Sequence, residues 1–131
     1  MAARMKILII EKDVQTWVSI SEFFAPKGYT VVAVTRASAA IQCTPLENLA
    51  CVFLAIRLLD RDGRSLLRRL RHAHPEVPVV LLTVQSSSRI LPERHTPGTR
   101  RWVDTPISPR ALEACLADIS LPAGSIETLT S

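Results

Sequence analysis

The feature that most constrains the fold is a repeated switch between two hydrophobic rhythms. Short apolar or β-branched runs alternate with longer stretches whose apolar residues recur every three or four positions. The first pattern is typical of buried strands and the second of amphipathic helices. The predicted strands are 6–10, 29–34, 51–56, 79–83 and 101–103. The predicted helices are 14–26, 38–44, a third that carries Leu66, Leu67, Leu70 and Ala73 on one face, and a last one at 111–119.

Strands that alternate with helices predict a parallel sheet with helices on both faces. Right-handed crossovers then give an α/β fold, a three-layer, doubly wound sandwich of five parallel strands, with its working crevice at the carboxyl ends of the strands. At 131 residues, of which 47% are hydrophobic and 21% charged, the chain has the size and composition of one globular domain. We assign this domain to residues 1–120. Residues 121–131, rich in Ser, Thr, Pro and Gly, are expected to be a flexible tail or the start of a linker.

Composition also argues against several classes of protein. No apolar run approaches the roughly 20 residues of a membrane helix, and the apolar run near the N-terminus is too short for a secretory signal, so we expect a cytoplasmic protein. Cys43, Cys51 and Cys115 lack the spacing of a disulfide framework or a zinc site. His72 and His74 close the predicted third helix, where they complement its dipole, and we prefer this interpretation to a metal site.

The net charge of +4 comes mostly from arginine, since the chain contains 13 arginines and only 3 lysines. Such a charge is typical of proteins that bind nucleic acid or an acidic partner. In the sequence the charges are spread along the chain and are not interleaved with aromatic residues. We therefore expect no direct binding of nucleic acid by this domain.

Over about residues 5–120 the chain resembles the receiver domain of two-component response regulators. The segments that carry the resemblance are the strand and acidic loop at 7–13, then 28–31, 60–63, 78–83, Gly98 and 105–109. No single segment is specific, but their order and spacing together are. The resemblance implies a flavodoxin-like receiver fold. The family's fourth helix, at 85–98, is expected to be degenerate here because two prolines and three serines disfavour a helix.

The resemblance also indicates which positions of this chain match the functional residues of the family. Receivers bind magnesium with acidic residues after the first strand and take a phosphoryl group on an Asp that ends the third. A Thr or Ser ends the fourth strand, and a Lys precedes a Pro after the fifth. Here Ala55 stands at the phosphoacceptor position, Lys12 at the second acidic position and Thr105 at the Lys position. Glu11 keeps a carboxylate, and Thr83 matches the family. Because an acyl phosphate needs a carboxylate and magnesium needs several oxygen ligands, we expect a degenerate pocket without phosphorylation, metal or cofactor.

The assignment of Ala55 depends on the register of the third strand. Placing Asp60 at the phosphoacceptor position would put two arginines into a strand that is buried on both faces, so we keep Ala55 there. Asp60 and Asp62 are instead expected to shape a turn with Gly63 or to cap the third helix. Asp13 is expected to cap the first helix.

Two local expectations concern the edge of this pocket. The Lys12 ammonium is expected either to neutralise Glu11 or Asp13, whose carboxylates would otherwise repel each other, or to point into solvent. The sequence leaves both alternatives open. The Thr105–Pro106 bond is expected to be cis, because the resemblance places a cis peptide there while the base rate for such bonds is low.

The function expected from the resemblance is that of a phosphorylation-independent pseudo-receiver. Such a domain is not an enzyme and acts as a protein-interaction module in bacterial signal transduction or transcriptional regulation. Its interaction face is expected around Trp102 of the fifth strand with Arg100, Arg101 and Arg110, since Trp and Arg are enriched at interface hot spots. The alternative is that Trp102 fills the gap beneath a broken helix. The partner is expected to be another protein or a second copy of the chain.

Two other functions stay open. The first is a small flavodoxin-like domain that binds a ligand or catalyses a reaction. The chain has only four glycines, none in a phosphate-binding pattern, and no Ser-His-Asp or Cys-His arrangement, which argues against it. The second is the N-terminal regulatory domain of a longer DNA-binding response regulator, which would need an effector domain that this sequence lacks.

Overall fold

The computed structural model describes residues 5–42, 47–84 and 99–120, except for the side chains of 99, 100 and 120. The elements follow one another as β1 (Lys6–Ile10), α1 (Val14–Phe24), β2 (Thr30–Val34), α2 (Ala37–Gln42), β3 (Leu49–Ala55), α3 (Arg61–Ala73), β4 (Val79–Val84), β5 (Thr99–Thr105) and α4 (Pro109–Ser120). Single turns of 3₁₀ helix follow α1 at Ala25–Lys27 and β3 at Ile56–Leu58. No helix of the described ranges is both long and apolar enough to cross a membrane.

The strands form one parallel five-stranded sheet in the order β2-β1-β3-β4-β5. The chain leaves β1 towards β2 on one side and returns to β3 on the other, so the direction of winding reverses between β1 and β3. A crevice forms where this reversal occurs, at the carboxyl ends of the strands. The structure confirms the predicted doubly wound α/β fold.

Two hydrophobic clusters cover the two faces of the sheet because side chains alternate along each strand. The α2/α3 cluster includes Leu8, Ile10, Leu54, Leu66 and Leu81. The α1/α4 cluster includes Ile7, Ile9, Phe24, Phe53 and Leu112. All seven residues of the central strand β3 are buried, which explains its uninterrupted apolar sequence.

The two predicted helix caps have different outcomes. The Asp60 side chain accepts a hydrogen bond from the Gly63 backbone N–H at 2.9 Å, which confirms the cap of α3. Asp13 precedes α1 as expected, but its carboxylate does not accept a backbone N–H. It accepts the Thr16 hydroxyl at 2.5 Å instead, so Asp13 occupies the N-cap position as predicted but does not make the usual side-chain hydrogen bond of a cap. A charged oxygen binds a hydroxyl donor strongly, and here the hydroxyl of the first helical turn competes with the backbone.

Several boundaries differ from the prediction. β3 ends at Ala55, and Ile56 belongs to the 3₁₀ turn. β5 extends over Thr99–Thr105 because it pairs with β4 from its first to its last residue, with one shift in register near its start. The Thr105–Pro106 bond is cis, which confirms that expectation.

The predicted degenerate helix at 85–98, the tail at 121–131 and Cys43 lie outside the described residues. Cys51 and Cys115 are buried in the core.

Candidate functional site

A cavity of about 420 Å³ opens at the carboxyl ends of the strands, next to the reversal between β1 and β3. Of the predicted pocket residues, Glu11, Ala55 and Thr105 line it. Lys12 and Thr83 do not. The cavity therefore lies at the edge of the sheet where the pocket was expected, and three of the five predicted pocket residues line it.

The Glu11 carboxylate is held by an arginine that the sequence analysis missed. Its side chain is only 4% exposed, and its Oε1 accepts hydrogen bonds from the Asp13 backbone N–H at 3.0 Å and from Arg57 Nη2 at 2.5 Å. Arg57 lies in the 3₁₀ turn after β3, and half of its side chain is exposed. A buried carboxylate is costly unless it is paired and hydrogen-bonded, and this arginine supplies the positive charge.

Lys12 does not take part in this arrangement. Its side chain is exposed and makes no hydrogen bond or ion pair with a residue in the described ranges. The structure thus supports the solvent-facing alternative, and the predicted neutralisation of Glu11 or Asp13 by Lys12 is wrong. The reason is the pairing of parallel strands: Ile10 is opposite Leu54, so the loops after β1 and β3 leave the same edge of the sheet side by side. That register places Arg57 beside Glu11, within hydrogen-bond distance.

Ala55 ends β3 with 2% exposure and is paired in register with Leu82 of β4. Its methyl group offers no nucleophile. The acidic residues beside it are Glu11 and Asp13, and one Glu11 oxygen is already occupied by a guanidinium. Within the described residues no group of three His, Cys, Asp or Glu side chains is placed to hold a metal. Magnesium requires several oxygen ligands in octahedral geometry, so these residues do not fit the ion that the family uses.

The hydroxyl of Thr83 is directed towards β5. It donates a hydrogen bond to Oδ1 of Asp104, the residue opposite Thr83 in the pairing of β4 with β5. The Thr105 hydroxyl in turn donates to the Thr83 carbonyl oxygen at 3.0 Å. Thr83 is 2% exposed, and its polar groups are therefore satisfied within the sheet edge. Asp104 was not predicted as a site residue, although its cross-strand position makes it a partner for Thr83.

The predicted interaction face does not form a single surface. Arg101 makes a bidentate ion pair with Asp118 of α4, with distances of 2.7 and 2.9 Å, and these hydrogen bonds raise the pKa of Arg101. Trp102 is half-buried and packs against the α2/α3 cluster on the other side of the sheet. Successive side chains of a strand point to opposite faces, so these neighbours in sequence are separated in space. Arg110 is exposed at the start of α4, and the side chain of Arg100 lies outside the described part.

The comparison with known proteins decides the family. The family model described as the response regulator receiver domain matches residues 7–122. The chain belongs to this family. Among curated proteins, this receiver domain is similar to the response regulator protein FleR of Pseudomonas aeruginosa, with 28% identity over 107 residues, 82% of this chain and 23% of FleR. It is also similar to the transcriptional regulatory protein BasR of Escherichia coli, with 32% identity over 83 residues, 63% of this chain and 37% of BasR. The receiver domain thus spans less than two fifths of these relatives.

Solved structures share the fold of this receiver domain. Full-length FixJ from B. japonicum superimposes with a TM-score of 0.74 at 20% identity, over 96% of this chain and 63% of that chain. A putative response regulator from Chloroflexus aurantiacus gives a TM-score of 0.73 at 19% identity, over 89% of this chain and 98% of that chain. At these identities the likeness supports the fold alone.

Proposed function

We propose that this receiver domain signals without being phosphorylated, as a protein-interaction module in bacterial signal transduction or transcriptional regulation. The observation that carries the proposal is Ala55 at the end of β3, beside a Glu11 whose charge is already balanced by Arg57. An acyl phosphate cannot form on a methyl group. No catalytic role or cofactor is proposed for the domain.

The Arg57 guanidinium supports the proposal through its charge. In the family, acidic residues after the first strand hold a divalent cation that phosphoryl transfer needs. Here a fixed cation lies on a Glu11 oxygen, where it balances the carboxylate without metal and repels a second cation. The negative charge of Glu11 is therefore balanced by a residue of the chain itself, without a bound cation.

The hydrogen bond of Thr83 supports a single resting conformation. A phosphoryl group could shift a conformational equilibrium only by interacting differently with the two states. With no phosphoryl group on position 55, Thr83 keeps Asp104 as its partner. We therefore expect the domain to bind its protein partner constitutively.

The test is incubation of the protein with radiolabelled acetyl phosphate and magnesium, beside a phosphorylatable receiver as positive control. We expect no label on this chain. The fluorescence of Trp102, measured in a Trp17→Phe background, should also stay unchanged. Label on the protein that is lost in Asp60→Asn or Asp62→Asn would show that the register is wrong, and label on any other carboxylate would refute phosphorylation independence.

The relatives favour one further candidate. BasR is named a transcriptional regulatory protein, and the matched part is less than two fifths of it. The domain could therefore be the regulatory part of a longer DNA-binding regulator. An immunoblot of cells that express the gene would test this, because a mass well above 14.5 kDa would indicate an attached effector domain. Membership of the receiver family argues against the flavodoxin-like catalytic alternative.

A further inference from the structure

We propose that α3 is a docking surface for an acidic helical segment of a partner protein. The helix carries five arginines and one aspartate, which gives it a net charge of +4. The whole chain also has a net charge of +4, so acidic and basic residues balance in the remainder. The excess positive charge, which looked dispersed in the sequence, is concentrated on one element.

Four of these arginines form one row. Arg61, Arg64, Arg68 and Arg71 are spaced by three, four and three residues, so they share one face of the helix over about 15 Å. All four side chains are exposed, and none makes an ion pair with a residue that the structure describes. Like charges at such spacings destabilise a helix. Repulsion within the row therefore lowers the stability of the helix, and a negatively charged partner bound to the row would offset this repulsion.

The type of basic residue also favours a protein partner. α3 contains no lysine, and arginine is the more weakly hydrated of the two cations. Its planar guanidinium binds a carboxylate through two parallel hydrogen bonds, as Arg101 does with Asp118 in this chain. A row of arginines thus presents a row of bidentate carboxylate sites.

A cavity at the end of the row adds an apolar feature. It has a volume of about 440 Å³ and lies between the end of α3 and the start of β4. Buried Leu70 and Val79 and half-buried Val77 line it together with Arg68 and Arg71. A cavity with apolar and basic walls accommodates an apolar side chain flanked by carboxylates. A phosphate backbone would leave those apolar walls unused, which favours a peptide over nucleic acid.

The spacing of the row selects a helix as the bound segment. Three intervals in about 15 Å give roughly 5 Å per charge, close to the 5.4 Å pitch of an α-helix. Alternate residues of a strand are roughly 6.7 Å apart and would lose register along the row. A partner helix with glutamates spaced by three, four and three residues matches it.

A second copy of this chain does not offer such a helix within the described residues. α1 contributes only Glu22, α2 has no acidic residue, and α4 carries Glu113 and Asp118 five positions apart. None of these gives carboxylates at the required spacing. The partner is therefore a different protein, and two α3 surfaces would repel each other. This inference does not depend on whether the domain is phosphorylated.

The experiment measures binding of two fluorescent peptides to the full chain by anisotropy. One peptide is helical, with four glutamates at the matching spacing and a leucine on the same face, and the other has the same composition in scrambled order. We expect the first to bind at least about tenfold more tightly, because only it aligns its carboxylates with the row. Replacing its leucine by alanine should weaken binding.

Arg68 and Arg69 provide a matched pair of variants. Both are exposed on α3, but only Arg68 lies in the row and lines the cavity. Arg68→Glu should reduce affinity by more than about tenfold and Arg69→Glu by less than about threefold, with the fold of each checked by circular dichroism. Equal losses, equal binding of the two peptides, or no binding at about 1 mM peptide would overturn the proposal. Tighter binding of a DNA duplex than of the peptide, abolished by Arg68→Glu, would overturn it in favour of nucleic acid.

Discussion

Replacing Arg57 by alanine is expected to lower the free energy of unfolding by about 1–3 kcal/mol, the cost of leaving a buried charged group short of a partner. Glu11 is only 4% exposed at its side chain and would keep the Asp13 backbone N–H as its one remaining described donor. Breaking a fully buried ion pair costs about 3–5 kcal/mol. Half of the Arg57 side chain is exposed, so water can replace part of the lost interaction and the expected cost is smaller.

Urea denaturation followed by circular dichroism measures this loss, with Lys12→Ala as the matched control. Lys12 neighbours Glu11 in sequence but is exposed and makes no ion pair with it, so its removal should change stability by less than about 0.5 kcal/mol. A double-mutant cycle of Arg57→Ala with Glu11→Gln isolates the pair. Because a neutral amide needs no cation, Arg57→Ala should cost much less in the Glu11→Gln background.

Two results would refute this reasoning. The first is a loss in Arg57→Ala no greater than in Lys12→Ala, which would mean that water satisfies the Glu11 carboxylate without help. The second is an equal cost of Arg57→Ala in both backgrounds, which would place the contribution of Arg57 in packing of its side chain and not in its charge. Either result would also remove the electrostatic support for the proposed function.

Three other outcomes are expected. Gly63→Ala should destabilise the domain by about 2 kcal/mol or more in urea despite alanine's helix propensity, because its Cβ would lie 2.2 Å from the Leu58 carbonyl oxygen; unchanged stability would contradict that approach. Burial raises the pKa of the Cys115 thiol to about 11, so iodoacetamide near pH 8 should modify it only in unfolded protein, as peptide mapping would show. Trp102→Ala should cost about 2 kcal/mol, and an unaltered urea midpoint would show that its ring does not support the core.

The fold was predictable because its signal is local. β3 reads as an uninterrupted apolar run, and the spacing of Leu66, Leu67 and Leu70 gives the buried face of α3. Each pattern states which side chains must be removed from water, and a parallel sheet covered by helices satisfies all of them together. Once right-handed crossovers are assumed, only a few strand orders are compatible with this sequence of elements.

The site was harder to predict because its contacts join distant positions. Arg57 and Glu11 are 46 residues apart, and Thr83 and Asp104 are 21 apart. Both contacts follow from the register between parallel strands, which hydrophobic patterns do not specify to the residue. From the sequence alone, Lys12 was the only neighbouring cation to consider for Glu11 or Asp13, and whether it pairs with them or points into solvent stayed open.

The grouping of Trp102 with Arg101 failed for a simpler geometric reason. Both are on β5, where consecutive side chains project from opposite faces of the sheet. The sequence shows them as one aromatic-basic cluster, whereas in the structure Trp102 packs on the α2/α3 side of the sheet and Arg101 pairs with Asp118 of α4 on the other side. The composition of a short segment is therefore a poor guide to a shared surface within a strand, since adjacent residues project from opposite faces of the sheet.

The contact between Arg57 and Glu11 also determines what an acid at position 55 could do in this pocket. An Ala55→Asp substitution would place a new carboxylate beside an arginine that already binds Glu11, and the guanidinium would be shared between the two acids. The new acid would be held in an ion pair with Arg57, which would leave it less able to bind a metal. Loss of Arg57 first would leave Glu11 uncompensated. Ala55→Asp alone is therefore not expected to give a metal-binding pocket, and Arg57→Ala alone is expected to destabilise the domain, so the effects of changes at the two positions depend on each other.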